Sequence, residues 1–359
     1  MIKPRKLNRG DKVAIVSLSR GLLGMPFCKH ELDIAIKRLK DFGLVPVIMP
    51  NSLKDMDYLH EHPEERASDL KQAFIDDEIK AIICAIGGDD TYMTIPYLME
   101  DEEFKEAVRN HPKIFTGFSD TTNNHVMLNR LGLETFYGPC IIVDFAELDK
   151  EMLPYTKEYF EKFFKEEDSY EVTSSPVWYN ERESFGTEQI GVPRKSNTER
   201  HGYEVLKGFG KVTGKLYGGC IESFYDMYTG ERYGNENEVY SKYDILPSID
   251  EWKEKILFLE TCEEKNSPEK LEIILNLFKE KKILESVRAI IVGKPMDEAY
   301  YEEYKEVYKK VFNDIDTPIL YNVNFGHSVP RCILPYGAET TIDFDNKKIT
   351  IDEPIFDNK

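Results

Sequence analysis

Lys-Ile-Phe-Thr-Gly-Phe-Ser-Asp-Thr-Thr-Asn, residues 113–123, joins a short apolar strand to a helix through one tight turn at Gly117. Strands and helices that alternate in this way are typical of α/β folds. A serine at such a junction projects its hydroxyl above the sheet edge, where the backbone N–H groups of the first helical turn also point. Ser119 is therefore a candidate nucleophile, and the alternative is that it only caps the helix.

The first 140 residues alternate short apolar runs with amphipathic segments, which is the pattern of a parallel sheet covered by helices. The predicted strands are Lys12–Val16, Val45–Met49, Ala81–Ala85 and Lys113–Thr116. The predicted helices are His30–Phe42, Glu64–Phe74, Thr91–Met99 and Asp120–Leu131. We therefore expect a doubly wound, Rossmann-like domain with a parallel sheet over residues 1–165.

Residues 166–210 show little periodicity, and we interpret them as a linker followed by an irregular insertion that contains aromatic residues. Regular elements resume over residues 211–359, which are predicted to form a smaller mixed α/β domain. Its predicted strands are Lys215–Leu216, Lys255–Leu259, Ala289–Val292, Thr340–Phe344 and Lys348–Ile351. Its predicted helices are Ile221–Tyr228, Pro268–Lys281 and Glu302–Phe312.

Composition and charge limit the classes of partner. The chain of 359 residues carries a formal charge of −19, which disfavours binding to nucleic acid because that requires clustered Lys and Arg. No apolar run approaches the roughly 18 residues of a membrane span. The basic N-terminus leads into a strand instead of the apolar core of a signal peptide, and the six cysteines are widely spaced, as reduced thiols are. We expect a cytoplasmic protein with no nucleic-acid or membrane partner.

A serine nucleophile needs a general base and a group that orients this base. His327 lies in a loop bounded by glycine and proline after the apolar run 318–321, and such loops commonly carry catalytic groups. Glu260 ends an apolar strand, where a charge is costly to bury unless it is paired. Each has a simpler interpretation: a loop histidine with a local hydrogen bond, and a carboxylate that reaches water. Glu263 and Glu264 are expected to be solvated.

The pair Gly87-Gly88 follows a predicted strand and permits close backbone approach to an oxyanion or a phosphate. The sequence of this stretch is also similar to the glycine-rich loop of certain NAD and sugar kinases. Asp90, however, adds negative charge where the phosphates of a nucleotide would bind. His60 and His62 form a pair that suggests a metal, yet no third ligand stands at a helical or strand spacing. We therefore predict no metal site.

Together these windows resemble the LD-carboxypeptidase family of serine peptidases, and within it the branch typified by the microcin C self-immunity peptidase. The resemblance runs nearly end to end. The matching windows are Arg66–Leu70, Ile82–Asp90, Gly117–Thr122, Gly214–Gly219, Leu257–Glu260, Gly326–His327 and Leu334–Gly337. Two residues depart from the usual pattern, since Cys220 and Tyr203 stand where similar proteins commonly have asparagine and tryptophan.

The resemblance implies an active site in a cleft between the two halves. It assigns Ser119 as the nucleophile, His327 as the general base and Glu260 as the residue that fixes the imidazole. The backbone N–H groups of Gly88 and Asp120 are implied to form the oxyanion hole. The implied reaction is acylation of the serine followed by hydrolysis, without a metal or organic cofactor, and similar proteins form homodimers.

The substrate differs between branches of the family. Peptidoglycan-recycling members remove a terminal D-alanine from a tetrapeptide, whereas the microcin-type branch cleaves an amide beside an acidic residue and releases a nucleotide-like group. The segment 258–263 and the aromatic insertion favour the second branch, because an aromatic ring such as that of Trp178 can stack on a base. Gly87, Trp178 and Gly219 are the candidate substrate contacts. The alternatives are tetrapeptide cleavage and a two-domain small-molecule binder without activity.

Overall fold

The structure is a computed structural model that describes residues 1–357. The chain forms two compact units. Unit 1 contains Met1–Glu166, Arg182–Arg194 and the described residues from Ile355 onward, and unit 2 contains Glu167–Glu181 and Lys195–Pro354. The segment interpreted as linker and insertion is therefore shared between the two units.

A parallel sheet lies at the centre of unit 1. Its strands are β1 (Lys12–Val16), β2 (Val45–Ile48), β3 (Ile79–Cys84), β4 (Ile114–Gly117) and β5 (Phe136–Tyr137). They lie in the order β2-β1-β3-β4-β5, and every neighbouring pair is parallel. This is a doubly wound order, and such sheets bind ligands at the carboxyl ends of their strands. The predicted α/β fold with a parallel N-terminal sheet is confirmed.

Seven α-helices accompany this sheet among the described residues of unit 1. They are α1 (Lys29–Asp41), α2 (Met56–Glu61), α3 (Pro63–Ile75), α4 (Ile95–Met99), α5 (Glu102–Asn110), α6 (Thr122–Arg130) and α7 (Pro154–Glu161). Helices α4 and α6 are preceded by the 3-10 turns Thr91–Thr94 and Ser119–Thr121. These tight turns follow β3 and β4, so they place the Gly-Gly loop and Ser119 at the carboxyl edge of the sheet.

A buried ion-pair network holds residues 182–194 on unit 1. The carboxylate of Glu147 accepts hydrogen bonds from Arg182 Nη2 and Arg194 Nε, both at 2.5 Å. Burial acts to raise the pKa of Glu147, but the guanidinium groups of Arg194 and Arg182 outweigh it and lower this pKa. Breaking a buried pair of this kind typically costs about 3–5 kcal/mol, so this part of the insertion is firmly attached.

Unit 2 contains a mixed sheet of eight strands in the order β6-β16-β15-β10-β11-β12-β13-β9. The strands of unit 2 are β6 (Tyr170–Val172), β7 (Val177–Tyr179), β8 (Ser196–Thr198), β9 (Glu204–Lys207), β10 (Lys211–Cys220), β11 (Lys255–Glu260), β12 (Ala289–Gly293), β13 (Ile319–Val323), β14 (Leu334–Pro335), β15 (Glu339–Asp343) and β16 (Lys348–Ile351). Strands β10 to β13 are parallel to one another, and antiparallel strands flank them on both sides. Strands β7 and β8 form a separate antiparallel pair.

The helices of unit 2 are α8 (Ile221–Thr229), α9 (Glu236–Lys242), α10 (Ile249–Trp252), α11 (Pro268–Glu280), α12 (Ile283–Ser286) and α13 (Tyr301–Val311). Helix α11 shows why local sequence was informative. Ser267 caps it by accepting the N–H of Lys270 at 3.4 Å, and Pro268 occupies the first turn, where its missing N–H costs nothing. Its apolar face is buried, as the spacing of the apolar residues predicts.

Candidate active site

Ser119 lies where β4 turns into α6, and its backbone is in the left-handed region with φ +65°. This conformation is unfavourable for a residue with a side chain and typically marks a site whose geometry matters. The N-cap positions of the 3-10 turn and of α6 belong to Phe118 and Thr121, so Ser119 is not the N-cap residue of either. Its own N–H donates to Tyr137 Oη at 3.0 Å. Ser119 therefore lies on a sharp strand-to-helix turn, the position expected for the candidate nucleophile.

The Gly-Gly loop lies directly against this serine. A β-carbon at Gly87 would stand 2.5 Å from Cβ and 2.9 Å from Oγ of Ser119, so a larger residue does not fit. Gly88 has φ +125°, and a β-carbon there would also meet Cβ of Arg20 at 2.6 Å. Glycine is therefore required at both positions, and the backbone of the loop is brought close to the serine hydroxyl.

The side chain of Asp120 joins the serine turn to the end of the Gly-Gly loop. Its Oδ2 accepts Ser19 Oγ at 2.7 Å and the N–H of Thr91 at 3.0 Å, while Oδ1 accepts Asn123 Nδ2 at 2.8 Å. Burial raises the pKa of Asp120 to about 7, although the Ser19 and Thr91 hydrogen bonds act in the opposite direction. This network fixes the two backbone segments that contain Gly88 and Asp120 relative to each other.

The carboxylate of Asp90 contacts two side chains of unit 1, those of Arg66 and His60. Arg66 is fully buried, and its Nη1 donates to Asp90 Oδ1 at 2.5 Å and to the carbonyl of Leu18 at 3.0 Å. His60 Nδ1 lies 2.5 Å from the other carboxylate oxygen. The charge of Asp90 thus anchors the loop, and these contacts do not favour the kinase interpretation, in which the loop cradles phosphates. His62 pairs with a different carboxylate, so the two histidines of the pair do not converge.

In unit 2, Glu260 and His327 form a buried pair although they are 67 residues apart. His327 Nδ1 and Glu260 Oε2 are 2.7 Å apart, and the backbone N–H of His327 donates to the same oxygen at 3.2 Å. The side chains are 8% and 1% exposed. Two contacts to one oxygen fix both the position and the ring orientation of the histidine. Both simpler interpretations fail here, because the carboxylate is withdrawn from water and is the partner of the histidine.

Glycines make room for this carboxylate. A β-carbon at Gly326 would lie 2.3 Å from Cδ of Glu260, and one at Gly293 would lie 2.7 Å from its Cβ. Strand β10 runs beside β11 with Gly219 opposite Leu259 and Cys220 opposite Glu260. The predicted contact residue Gly219, which has φ +140°, therefore lies next to the strand end that carries the catalytic candidate.

Glu263 is exposed, as expected from the sequence, but it also contacts His327. Its side chain is 60% exposed, yet its Oε2 lies 2.9 Å from Nε2 of His327. Burial acts to lower the pKa of His327, but Glu260 and Glu263 outweigh it and raise this pKa to about 10. The hydrogen bond with His327 lowers the pKa of Glu263 to about 2. No pattern in the sequence indicated this contact, because loop backbone geometry decides where the side chain points.

The remaining predicted residues are also in unit 2. Trp178 lies on β7, is partly exposed, and has Lys294 Nζ 5.1 Å from its ring centroid. Cys220 donates from Sγ to Glu222 Oε2 at 3.1 Å, and buried Tyr203 donates to the carbonyl of Val172. Within residues 1–357, no cluster of His, Cys, Asp and Glu could hold a metal ion, and no helix is long and apolar enough to span a membrane.

Residues 13–138, which include Ser119, match the LD-carboxypeptidase N-terminal domain. Residues 213–342, which include Glu260 and His327, match the LD-carboxypeptidase C-terminal domain. The chain belongs to the LD-carboxypeptidase family. It is therefore a serine-type peptidase, and the predicted family and enzyme class are confirmed.

Within the LD-carboxypeptidase family the chain is similar to proteins of the microcin-immunity type. An MccF-like protein from Streptococcus pneumoniae, solved in complex with AMP, is 44% identical with a TM-score of 0.91 over 96% of this chain and 99% of that one. The microcin C7 self-immunity protein MccF of Escherichia coli is 29% identical over 81% of this chain and 78% of its own length. A solved MccF structure with aspartyl sulfamoyl adenosine has a TM-score of 0.82 at 26% identity, over 99% of this chain and 100% of that one.

A relative named for cleavage of murein peptides is similar over a comparable length. The probable murein peptide carboxypeptidase of Bacillus subtilis is 27% identical over 98% of this chain and 94% of its own length. The relatives therefore share the family and differ in the substrate that their names describe.

Proposed function

We propose that this protein is a serine amidohydrolase that cleaves an amide beside an acidic residue in a peptide–nucleotide conjugate. Ser119 is the nucleophile, His327 the general base and Glu260 the carboxylate that orients this base. The observation that carries the proposal is the buried Glu260–His327 pair, with Nδ1 of the imidazole 2.7 Å from the carboxylate. This bond selects the tautomer in which Nε2 is the nitrogen available to accept a proton.

The reaction proceeds in two halves. His327 Nε2 takes the proton of Ser119 as Oγ bonds to the substrate carbonyl carbon, and the N–H groups of Gly88 and Asp120 stabilise the oxyanion. Collapse of this intermediate breaks the C–N bond, and the imidazolium gives its proton to the leaving nitrogen. Water then attacks the acyl-enzyme, passes a proton to Nε2, and the serine leaves with that proton. Each oxyanion donor typically contributes about a hundredfold to a thousandfold in rate.

Two relatives support a nucleotide-bearing substrate. The MccF-like protein of S. pneumoniae was solved with AMP, and MccF was solved with aspartyl sulfamoyl adenosine. Here the partly exposed ring of Trp178 is the proposed platform for the base, and Lys294 supports it through a cation–π contact. Gly87 and Gly219 are proposed to admit the substrate backbone near the reacting groups. A homodimer and a cytoplasmic location stay predictions.

Cleavage of a murein tetrapeptide is a second candidate, and the similarity to the B. subtilis murein peptide carboxypeptidase favours it. In that reaction the same three residues would release a terminal D-alanine. The two candidate reactions use the same catalytic residues and differ in the leaving group. Assays with the two substrates therefore distinguish them, whereas mutation of the triad does not.

The test is to incubate the purified protein with aspartyl sulfamoyl adenosine and, separately, with an L,D-linked murein tetrapeptide, following products by mass spectrometry. Cleavage of the conjugate alone supports the proposal, and cleavage of the tetrapeptide alone replaces it with the second candidate. Ser119→Ala is expected to abolish cleavage, while Ser241→Ala, which changes an exposed serine, is the control. Neither substrate being cut, together with no adduct from a serine-directed phosphonate, would refute the hydrolase mechanism and leave a binding protein.

A further inference from the structure

Both ring nitrogens of His327 face carboxylates. Nδ1 is 2.7 Å from Glu260 and Nε2 is 2.9 Å from Glu263. The Glu260 contact fits the role of an orienting group. Glu263, however, contacts Nε2, the nitrogen that has to accept the serine proton in the proposed mechanism. A histidine held between two carboxylates is stabilised as the imidazolium, which has no lone pair for a proton.

The charges around this histidine come from several elements. Glu260 ends β11, Glu263 follows in the next loop, and Glu222 in α8 lies close enough to Glu260 for their charges to interact. The hydrogen bond with His327 is the main cause of the lowered pKa of Glu263, and the positive charge of Arg232 adds to it. Arg331 Nε donates to the carbonyl of Gly326, next to His327, at 2.6 Å. The balance favours protonated His327 at neutral pH, with its pKa raised to about 10.

The two carboxylates differ in their freedom to move. The Glu260 side chain is 1% exposed, whereas the Glu263 side chain is 60% exposed. The loop backbone around Glu263 is anchored, because the N–H of Cys262 donates to Glu222 at 3.1 Å and Lys265 Nζ pairs with Asp297 at 2.6 Å. Glu263 can therefore rotate into water while the loop keeps its shape, because more than half of its side chain already faces solvent.

We infer that Glu263 is a removable cap on Nε2 of His327, in place when no substrate is bound and displaced when the substrate enters. The inference rests on the proposed function only in taking His327 as the general base. While the cap is in place the histidine cannot accept a proton, so the free protein has little hydrolytic power. Entry of the substrate separates Glu263 from Nε2, lowers the affinity of His327 for its proton and thereby activates the base.

Kinetics as a function of pH test this role. The profile of kcat/KM reports groups of the free enzyme and that of kcat reports groups of the substrate complex. The acid limb of kcat/KM is therefore expected at higher pH than that of kcat. Glu263→Gln should move the kcat/KM limb to lower pH by at least about one unit, since a neighbouring opposite charge typically shifts a pKa by about 1–3 units. The kcat limb should stay in place.

Two variants control for other effects. Glu264→Gln removes a charge from the same loop, and no ion pair joins Glu264 to His327 in the described chain, so both limbs should keep their wild-type positions. Glu263→Asp keeps the charge but is one methylene shorter, so it should give an intermediate shift. A kcat/KM limb that does not move in Glu263→Gln would overturn the inference, as would an equal shift in Glu264→Gln.

A second measurement does not depend on catalysis. The imidazole of His327 is titrated by 15N NMR in the Ser119→Ala protein with and without Glu263→Gln, and its signal is assigned by its loss in His327→Gln. A lower pKa with Glu263→Gln supports the cap even if no substrate is ever cleaved, in which case only the proposed function fails. An unchanged pKa refutes the cap even if the enzyme is active.

Discussion

Gly87→Ala is expected to disable the enzyme without unfolding it. The added β-carbon would lie 2.5 Å from Cβ of Ser119, whereas carbon atoms in contact are separated by about 3.5 Å or more. The serine, the loop or both must therefore move by about 1 Å. Displacement of a reacting group by about 1 Å typically costs about a hundredfold in rate, which corresponds to about 2.7 kcal/mol in the activation free energy.

The assay is steady-state hydrolysis of the preferred substrate, with the melting temperature measured on the same samples. We expect kcat to fall about a hundredfold, because Ser119 Oγ, the proposed reacting atom, is misplaced. The matched control is Gly10→Ala, a position with φ +95° where a β-carbon would have nothing within 4 Å. That change should cost about 1 kcal/mol of backbone strain and leave kcat unchanged.

Activity of Gly87→Ala within a few-fold of wild type would refute the argument that the Gly-Gly loop defines the position of the serine. A loss of activity matched by loss of the folded state would also refute it, because the effect would then be structural. Labelling by a serine-directed phosphonate gives an independent reading of Ser119, and its rate should fall together with kcat.

Two further predictions concern Asp120 and Trp178. The pKa of Asp120, raised to about 7 mainly by burial, exceeds the value near 3.9 of an unfolded aspartate. The folded state therefore binds more protons between these values, and the free energy of unfolding should fall as pH rises from about 4 to 7. In Asp120→Asn, the free energy of unfolding measured with urea should no longer fall between about pH 4 and 7. If it falls as steeply as in the wild type, the raised pKa of Asp120 is not the cause. Trp178→Leu should raise KM for aspartyl sulfamoyl adenosine about tenfold or more, since stacking on a base contributes about 1–3 kcal/mol. KM for the tetrapeptide should not change, and equal effects on both substrates would contradict a stacking role.

Local sequence was a good guide to most elements that are long and have a regular apolar period. Strands β1 and β16 and the start of helix α11 agree with the prediction, and most other predicted elements differ from the structure only at their ends. The short strands β5 to β9 and β14 were not predicted, because segments of two to four residues contain too few side chains to show a period. The predictions also lacked helices α2, α5, α9, α10 and α12.

The sequence by itself determined the alternation of strands and helices, and the positions of Ser119, Glu260 and His327 at strand ends and in loops. Local spacing controls which backbone groups form helices and which form strands, so these features can be read without a structure. Only the tertiary structure decided that Gly87 packs against Ser119, that Glu260 contacts Nδ1 of His327, and that Glu263 contacts Nε2 of the same ring. These contacts join residues distant in the chain or depend on the course of a loop, and both are fixed by packing.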